Sequence, residues 1–110
     1  YQFACDFPSK TVIVDESFID FSSENSIINL LEKNPLDNVI LIKSLSKALG
    51  VPGLRIGFVY CSNQHFVQSV RDTLPVWNAN SLAEFSKAFR SIFCSSRVVT
   101  LVHFCNAWAA

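Results

Sequence analysis

The first half of the chain alternates short apolar runs with polar breaks. "TVIVDE" (11–16) is a β-branched run closed by two acids, and it reads as a fully buried strand. "NSIINLLEKNP" follows, with Ile27, Leu30 and Leu31 on one helical face, Asn25 or Ser26 as the cap and Pro35 as the stop. "NVILIKS" (38–44) is a second buried strand. Strand, helix and strand make a βαβ unit, whose strands run parallel and whose crossover is nearly always right-handed. "LRIGFVYCS" (54–62) is a third strand, joined too tightly for a parallel crossover, so it belongs antiparallel or at an edge. Phe66, Val67, Val70 and Leu74 mark a helix ending at Pro75, and Ser81-Leu82-Ala83-Glu84 fits a capping box opening another. Its face carries Leu82, Phe85, Phe89, Ile92 and Phe93. The final stretch, "SRVVTLVHFCNAWAA", is apolar without a clean period and receives no element. The pattern predicts an α/β fold, its sheet mainly parallel with one antiparallel strand.

A length of 110 residues suits about one small domain. Charged residues are only 16% of the chain, against roughly 25% in ordinary soluble domains, which suggests surface meant to be covered. With no initiator methionine at Tyr1, the chain reads as a piece of a larger soluble protein, without a signal peptide. Nine basic and nine acidic residues cancel, so charge argues against a nucleic-acid or anionic-membrane partner. The apolar runs fall short of the roughly 18 to 20 residues a membrane span needs. Cys5, Cys61, Cys94 and Cys105 form no C-x-x-C pair, and His65 and His103 sit near no ligand cluster. No metal site is expected; the thiols are read as buried and reduced, in a cytoplasmic protein.

Candidate chemistry lies where the strands end. Parallel neighbours deliver their succeeding residues to one edge of the sheet, where open α/β sheets bind ligands. Asp15 follows the first strand; Ser44, Ser46 and Lys47 follow the second, and Arg55 comes eight residues after the lysine. Hydroxyls with a guanidinium suit a phosphate, because the planar fork of arginine matches its oxygens. A lysine partly stripped of water becomes a carbonyl-seeking nucleophile, and a carboxylate can hold a proton on a heterocyclic nitrogen. Phosphate, aldehyde and pyridine nitrogen together describe pyridoxal phosphate. Plainer readings stand beside this one. Ser-Leu-Ser-Lys alone is an ordinary turn with a solvated lysine, and Asp15 alone is a strand-end or capping acid. Walker-type G-x-x-x-x-G-K and dinucleotide-type G-x-G-x-x-G spacings are both absent around Gly50, Gly53 and Gly57.

"VIVDESFIDFS" followed by "LIKSLSKALGVPGLRIGFV" resembles the core of the fold-type I pyridoxal-phosphate enzymes, over residues 11–85. More narrowly it resembles the aminotransferase class I/II family, near histidinol-phosphate aminotransferase and threonine-phosphate decarboxylase. The resemblance implies a partial three-layer α/β sandwich, residues 1–94 being part of a cofactor-binding large domain and 95–110 an unplaced tail. It implies that Lys47 is the Schiff-base lysine and the proton carrier at the substrate α-carbon. Asp15 would pair with the pyridinium nitrogen, and Ser44, Ser46 and Arg55 would hold the cofactor phosphate. Gly53 and Gly57 would let the lysine loop approach the next strand. Phe18 stands where many such enzymes carry tyrosine, and it cannot donate a hydrogen bond to the cofactor's phenolic oxygen. "LPVWNANSLAE" (74–84) is similar to a segment near the substrate in the decarboxylase branch, which makes Trp77 and Asn78 candidates for the substrate side.

The implied activity is transamination of a histidinol-phosphate-like substrate or decarboxylation of threonine phosphate, on a small amino-acid substrate, in a homodimeric parent enzyme. The alternative is a truncated fragment without turnover. Family members run to several hundred residues, and the segments that stack on the ring and grip the substrate carboxylate have no counterpart here.

Overall fold

The computed structural model describes residues 1–50, 56–74 and 97–102, with 98–102 described by backbone alone. Helix α1 (Gln2–Asp6) precedes strand β1 (Val12–Asp15), a 3-10 turn (Ile19–Phe21) and helix α2 (Ile28–Lys33). Strands β2 (Val39–Ser44) and β3 (Ile56–Cys61), helix α3 (Gln64–Thr73) and strand β4 (Val98–Val102) follow. The strands form one sheet in the order β1-β2-β3-β4. β1 and β2 are parallel, while β3 is antiparallel to both β2 and β4. Three strands therefore run one way and β3 the other, as the short β2–β3 connection demanded. β4 forms in the stretch to which no period assigned an element.

Both sheet faces carry apolar cores because side chains alternate along each strand. On one face Val39 and Leu41 of β2 and Phe58 and Tyr60 of β3 pack with Ala4 of α1 and Leu31 of α2. On the other, Cys61 packs with Val67, and Ile40, Phe66, Val70 and Leu74 close around them. Leu31 and Leu41 are wholly buried, so each removes a full aliphatic side chain from water, worth about 1.5–3 kcal/mol. Helix α3 starts where the Asn63 side chain accepts the Phe66 N–H at 3.2 Å.

Three expectations change. β1 is not fully buried: Val12 and Val14 face the first core, but Ile13 points to the other face and is 64% exposed. Among the described helices, α3 is on β3, two strands away, and does not cover that side of β1. Leu30 is likewise exposed, because α2 is short and turns only Leu31 squarely inward. Among the thiols, Cys61 is buried but Cys5 is exposed on α1. Cys94 and Cys105, and the helix expected from Ser81, lie outside the described residues.

Gly57 fits the expectation placed on it. It sits opposite Ser44 in the β2–β3 ladder, and a Cβ there would stand 2.8 Å from the Lys43 carbonyl oxygen. The obstacle is backbone, which cannot swing aside as a side chain can. Gly57→Ala should therefore cost about 1–3 kcal/mol and lower the urea midpoint without abolishing cooperative unfolding. An unchanged midpoint would mean the two strands are not held this close.

Candidate functional site

The parallel pair sets the site. Asp15, the last residue of β1, lies opposite Ile42 of β2, so both strands end at the same edge of the sheet. β2 ends at Ser44, and Lys47 occupies the turn that follows. That turn is closed by Leu49 N–H donating to the Leu45 carbonyl and Gly50 N–H donating to the Lys47 carbonyl, each at 3.0 Å. Gly50 ends it at a φ of 65°, a left-handed conformation that favours glycine.

Asp15 and Glu16 diverge because neighbouring strand positions face opposite ways. Asp15 shares the face of Ile13. Glu16 is buried on the other face, where its carboxylate accepts the Ser26 hydroxyl and, at 2.8 Å, the Ile27 N–H. Those bonds tie the end of β1 to the start of α2. Ser26, one of the two expected caps, also accepts the Ile28 N–H at 3.2 Å.

Asp15 is exposed, yet its charge is well supported. Its Oδ1 accepts the Ser17 hydroxyl at 2.6 Å and the Ser17 N–H at 2.9 Å. The hydroxyl bond first, then the backbone bond, hold its pKa below the ordinary aspartate value; slight burial opposes them, and the Lys47 charge adds to them. The Lys47 amine lies 4.0 Å from the Phe18 ring centroid, a cation–π contact worth roughly 0.5–1 kcal/mol at an exposed position. Lys47 and Asp15 feel each other's charge without closing an ion pair. Among the described residues one ion pair forms, Lys43 Nζ to Asp20 Oδ1 at 2.8 Å, and it fastens the 3-10 turn to β2.

The two serines differ. Ser44 lies at the rim, its N–H donating to Ser17 Oγ at 3.0 Å, and its own hydroxyl bonds to no described residue. Ser46 departs from the phosphate-facing expectation, being buried with its Oγ accepting the Ile56 N–H at 3.1 Å. Its proton points to the Ile56 carbonyl at 3.5 Å, too long for a strong bond. Leu45 N–H reaches the same carbonyl at 2.9 Å, so the lysine turn is clamped to the start of β3. Asp15, Phe18, Ser44 and Lys47 are thus gathered at one edge. Gly53, Arg55, Trp77 and Asn78 lie outside the described residues.

Two residues with roles here carried no expectation, Glu16 and Ser17. The Asp-x-Ser spacing is an Asx-turn signature and could have pointed to Ser17. Nothing local marks Glu16, whose partners lie ten and eleven positions away.

Residues 9–100 match the family described as aminotransferase class I and II. The bifunctional adenosylcobalamin biosynthesis protein CobDQ of Leptospira interrogans is 40% identical over 79 residues, covering 71% of this chain and 9% of that protein. An L-serine phosphate decarboxylase of Campylobacter jejuni is 38% identical over 80 residues, covering 69% of this chain and 20% of that one. A histidinol-phosphate aminotransferase of Chlorobaculum parvum is 32% identical over 77 residues, covering 70% and 21%. The crystal structure of L-threonine-O-3-phosphate decarboxylase from Porphyromonas gingivalis superposes with a TM-score of 0.68 at 28% identity, over 87% of this chain and 29% of that one. The chain therefore spans about a tenth to a fifth of the length of these curated relatives. No helix among the described residues is long and apolar enough to cross a membrane.

The Asp15 geometry carries a pH consequence. A carboxylate whose folded value is depressed adds stability that is present above the unfolded value, about 3.9, and is lost as pH falls through the folded one. Urea midpoints measured from pH 7 down to 2.5 should hold steady and then fall below about pH 4, with a smaller fall in Asp15→Asn. Equal falls in both proteins would show that Asp15 is not held ionised by Ser17.

Proposed function

Because the chain belongs to the aminotransferase class I and II family, we propose that its sheet edge holds pyridoxal phosphate, with Lys47 as the covalent anchor and Asp15 as the partner of the ring nitrogen. One observation carries the reading: a supported carboxylate and an exposed primary amine stand at the same edge, within reach of each other's charge but not in contact. Such groups suit the chemistry of a ring that carries a protonated nitrogen and a carbonyl. The donor set suits it. Asp15 keeps Oδ2 unengaged by any described residue while Ser17 holds Oδ1, Lys47 offers a primary amine, and Ser44 offers a hydroxyl at the rim.

Bound there, pyridoxal phosphate would supply a carbonyl for imine formation and an electron sink for the pair left on an amino acid's α-carbon. Lys47 Nζ would hold the group and would be the base placed to take or return the proton at that α-carbon. Asp15, with Oδ2 unengaged by described residues, would accept a hydrogen bond from a protonated ring nitrogen, and its ionised state would keep that proton in place. Ser44 and Arg55 would supply donors to the phosphate, a role that suits the arginine guanidinium. Ser46 joins them only by loosening its hold on Ile56. Phe18 keeps the lysine amine over its ring but gives no hydrogen bond to the cofactor. Trp77 and Asn78 remain the candidates for the substrate side.

The whole enzyme, on this reading, acts on a small amino acid, and the two chemistries suggested by relatives are transamination of a histidinol-phosphate-like substrate and decarboxylation of an amino-acid phosphate. The names of the serine-phosphate and threonine-phosphate decarboxylases favour a phosphorylated amino acid. Residues 1–94 are assigned to the cofactor-binding large domain of a homodimer. Substrate choice and turnover also need groups beyond the described residues. A segment that binds cofactor without turnover is the second reading, favoured by the exposure of Asp15 and Lys47.

The test uses the chain mixed with pyridoxal phosphate. The reading expects a protonated-imine absorption band, and after borohydride a single adduct mapped to Lys47, reduced at least about tenfold in Lys47→Ala. Adduct scattered over Lys10, Lys33, Lys43 and Lys47 alike overturns it. Product analysis with threonine phosphate then separates the chemistries: carbon dioxide marks decarboxylation, a keto acid marks transamination, and neither marks the segment without turnover.

A further inference from the structure

We propose that Ser17 is the positioning residue of this edge, its hydroxyl forming a two-bond relay that fixes the Asp15 carboxylate and links it to the strand end carrying the lysine turn. The relay runs from Ser44 N–H to Ser17 Oγ at 3.0 Å, and from the Ser17 hydroxyl to Asp15 Oδ1 at 2.6 Å. A hydroxyl has one proton to give and two lone pairs to offer, so one serine can serve both sides at once. The second bond has the short length of a charge-assisted O–H···O⁻ contact.

The first bond replaces a missing rung of the sheet. In the β1–β2 ladder Glu16 N–H donates to the Ile42 carbonyl at 2.8 Å. Parallel pairing would next send Ser44 N–H to the Glu16 carbonyl. That carbonyl instead accepts Ile19 N–H at 3.1 Å as the chain enters the 3-10 turn. Ser44 N–H is left without its rung, and Ser17 Oγ takes it. The chain thus leaves β1 and still keeps β2 registered to it, through a side chain that also touches the functional carboxylate.

The inference rests on reading Asp15 as the ring-nitrogen partner. With Oδ1 bonded twice, the carboxylate rotamer is set and Oδ2 is left for a ligand proton. Other charges near Asp15 among the described residues are engaged or explained. Lys47, from the turn after β2, favours the ionised form. Glu16 on the same strand is taken up by Ser26 and Ile27, and Lys43 of β2 is paired with Asp20 of the 3-10 turn.

A Ser17 that merely shaped the turn would not pass information from Asp15 to Ser44, and amide and carboxyl NMR of the whole chain without cofactor separates the two cases. Ser17→Ala should raise the Asp15 titration midpoint and speed Ser44 amide exchange roughly three- to tenfold, the loss expected for one hydrogen bond. Ser17→Thr, which keeps the hydroxyl, should restore both. At neutral pH, Asp15→Asn should shift the Ser44 amide resonance when Ser17 is present and leave it unmoved when Ser17 is alanine. An unaltered Asp15 midpoint in folded Ser17→Ala, or a Ser44 amide blind to Asp15→Asn, overturns the proposal. Should Ser17→Ala fail to fold, the wild-type, Asp15→Asn and Ser17→Thr comparison still decides it. No cofactor enters these measurements, so a failed relay shows here and a failed cofactor reading shows in the Lys47 labelling.

Discussion

The parallel pairing of β1 with β2, in the register that sets Asp15 opposite Ile42, is the constraint on which the rest depends. It brings residues 15 and 47 to one edge although a helix lies between their strands. The register matters as much as the direction. A slip of one residue would turn Asp15 toward α2 and Glu16 toward the face of Ile13, exchanging an exposed acid for a clamped one. Burial of Val39 and Leu41 on the side that meets Leu31 holds the register, because the slip would put those side chains on the wrong face.

The lysine turn is fixed from a second side. Leu45 and Ser46 both bond to Ile56, and Gly57 allows β3 to approach the Lys43 carbonyl. β3 is therefore more than an added strand; it begins at the edge where the turn needs a backing. Ser46 shows what this costs. A hydroxyl that looks available in the sequence is turned inward because the first backbone N–H of β3 needs an acceptor.

Much of this frame was legible in the sequence. β-branched runs of strand length, a helix-length polar-apolar segment between two of them and a short connection before the third are enough to yield βαβ and then an antiparallel strand. Asp15 and Lys47 could be placed at one edge on that topology alone. The features that escaped have a common cause: each depends on which neighbour happens to be present. Ile13 reads as buried until none of the described helices proves to cover that face of β1. Val98–Val102 has no period and becomes a strand because β3 offers it an edge. Glu16 finds its partners across the crossover, and Ser17 acquires a second one only when β2 arrives beside it.

The way this edge supports charge also bears on what it can contribute to chemistry. Asp15, Phe18 and Lys47 are exposed, so water screens the Coulomb interaction between acid and amine, which at 4 Å in bulk water would be about 1 kcal/mol. A strong field is therefore not what the edge offers by itself. Direct hydrogen bonds to an ion depend less on the medium, and Asp15 has two from one residue. Orientation rather than desolvation is thus the property built into this segment, and a site assembled on it gains strength to the extent that a bound ring and further chain exclude water from an arrangement already aligned.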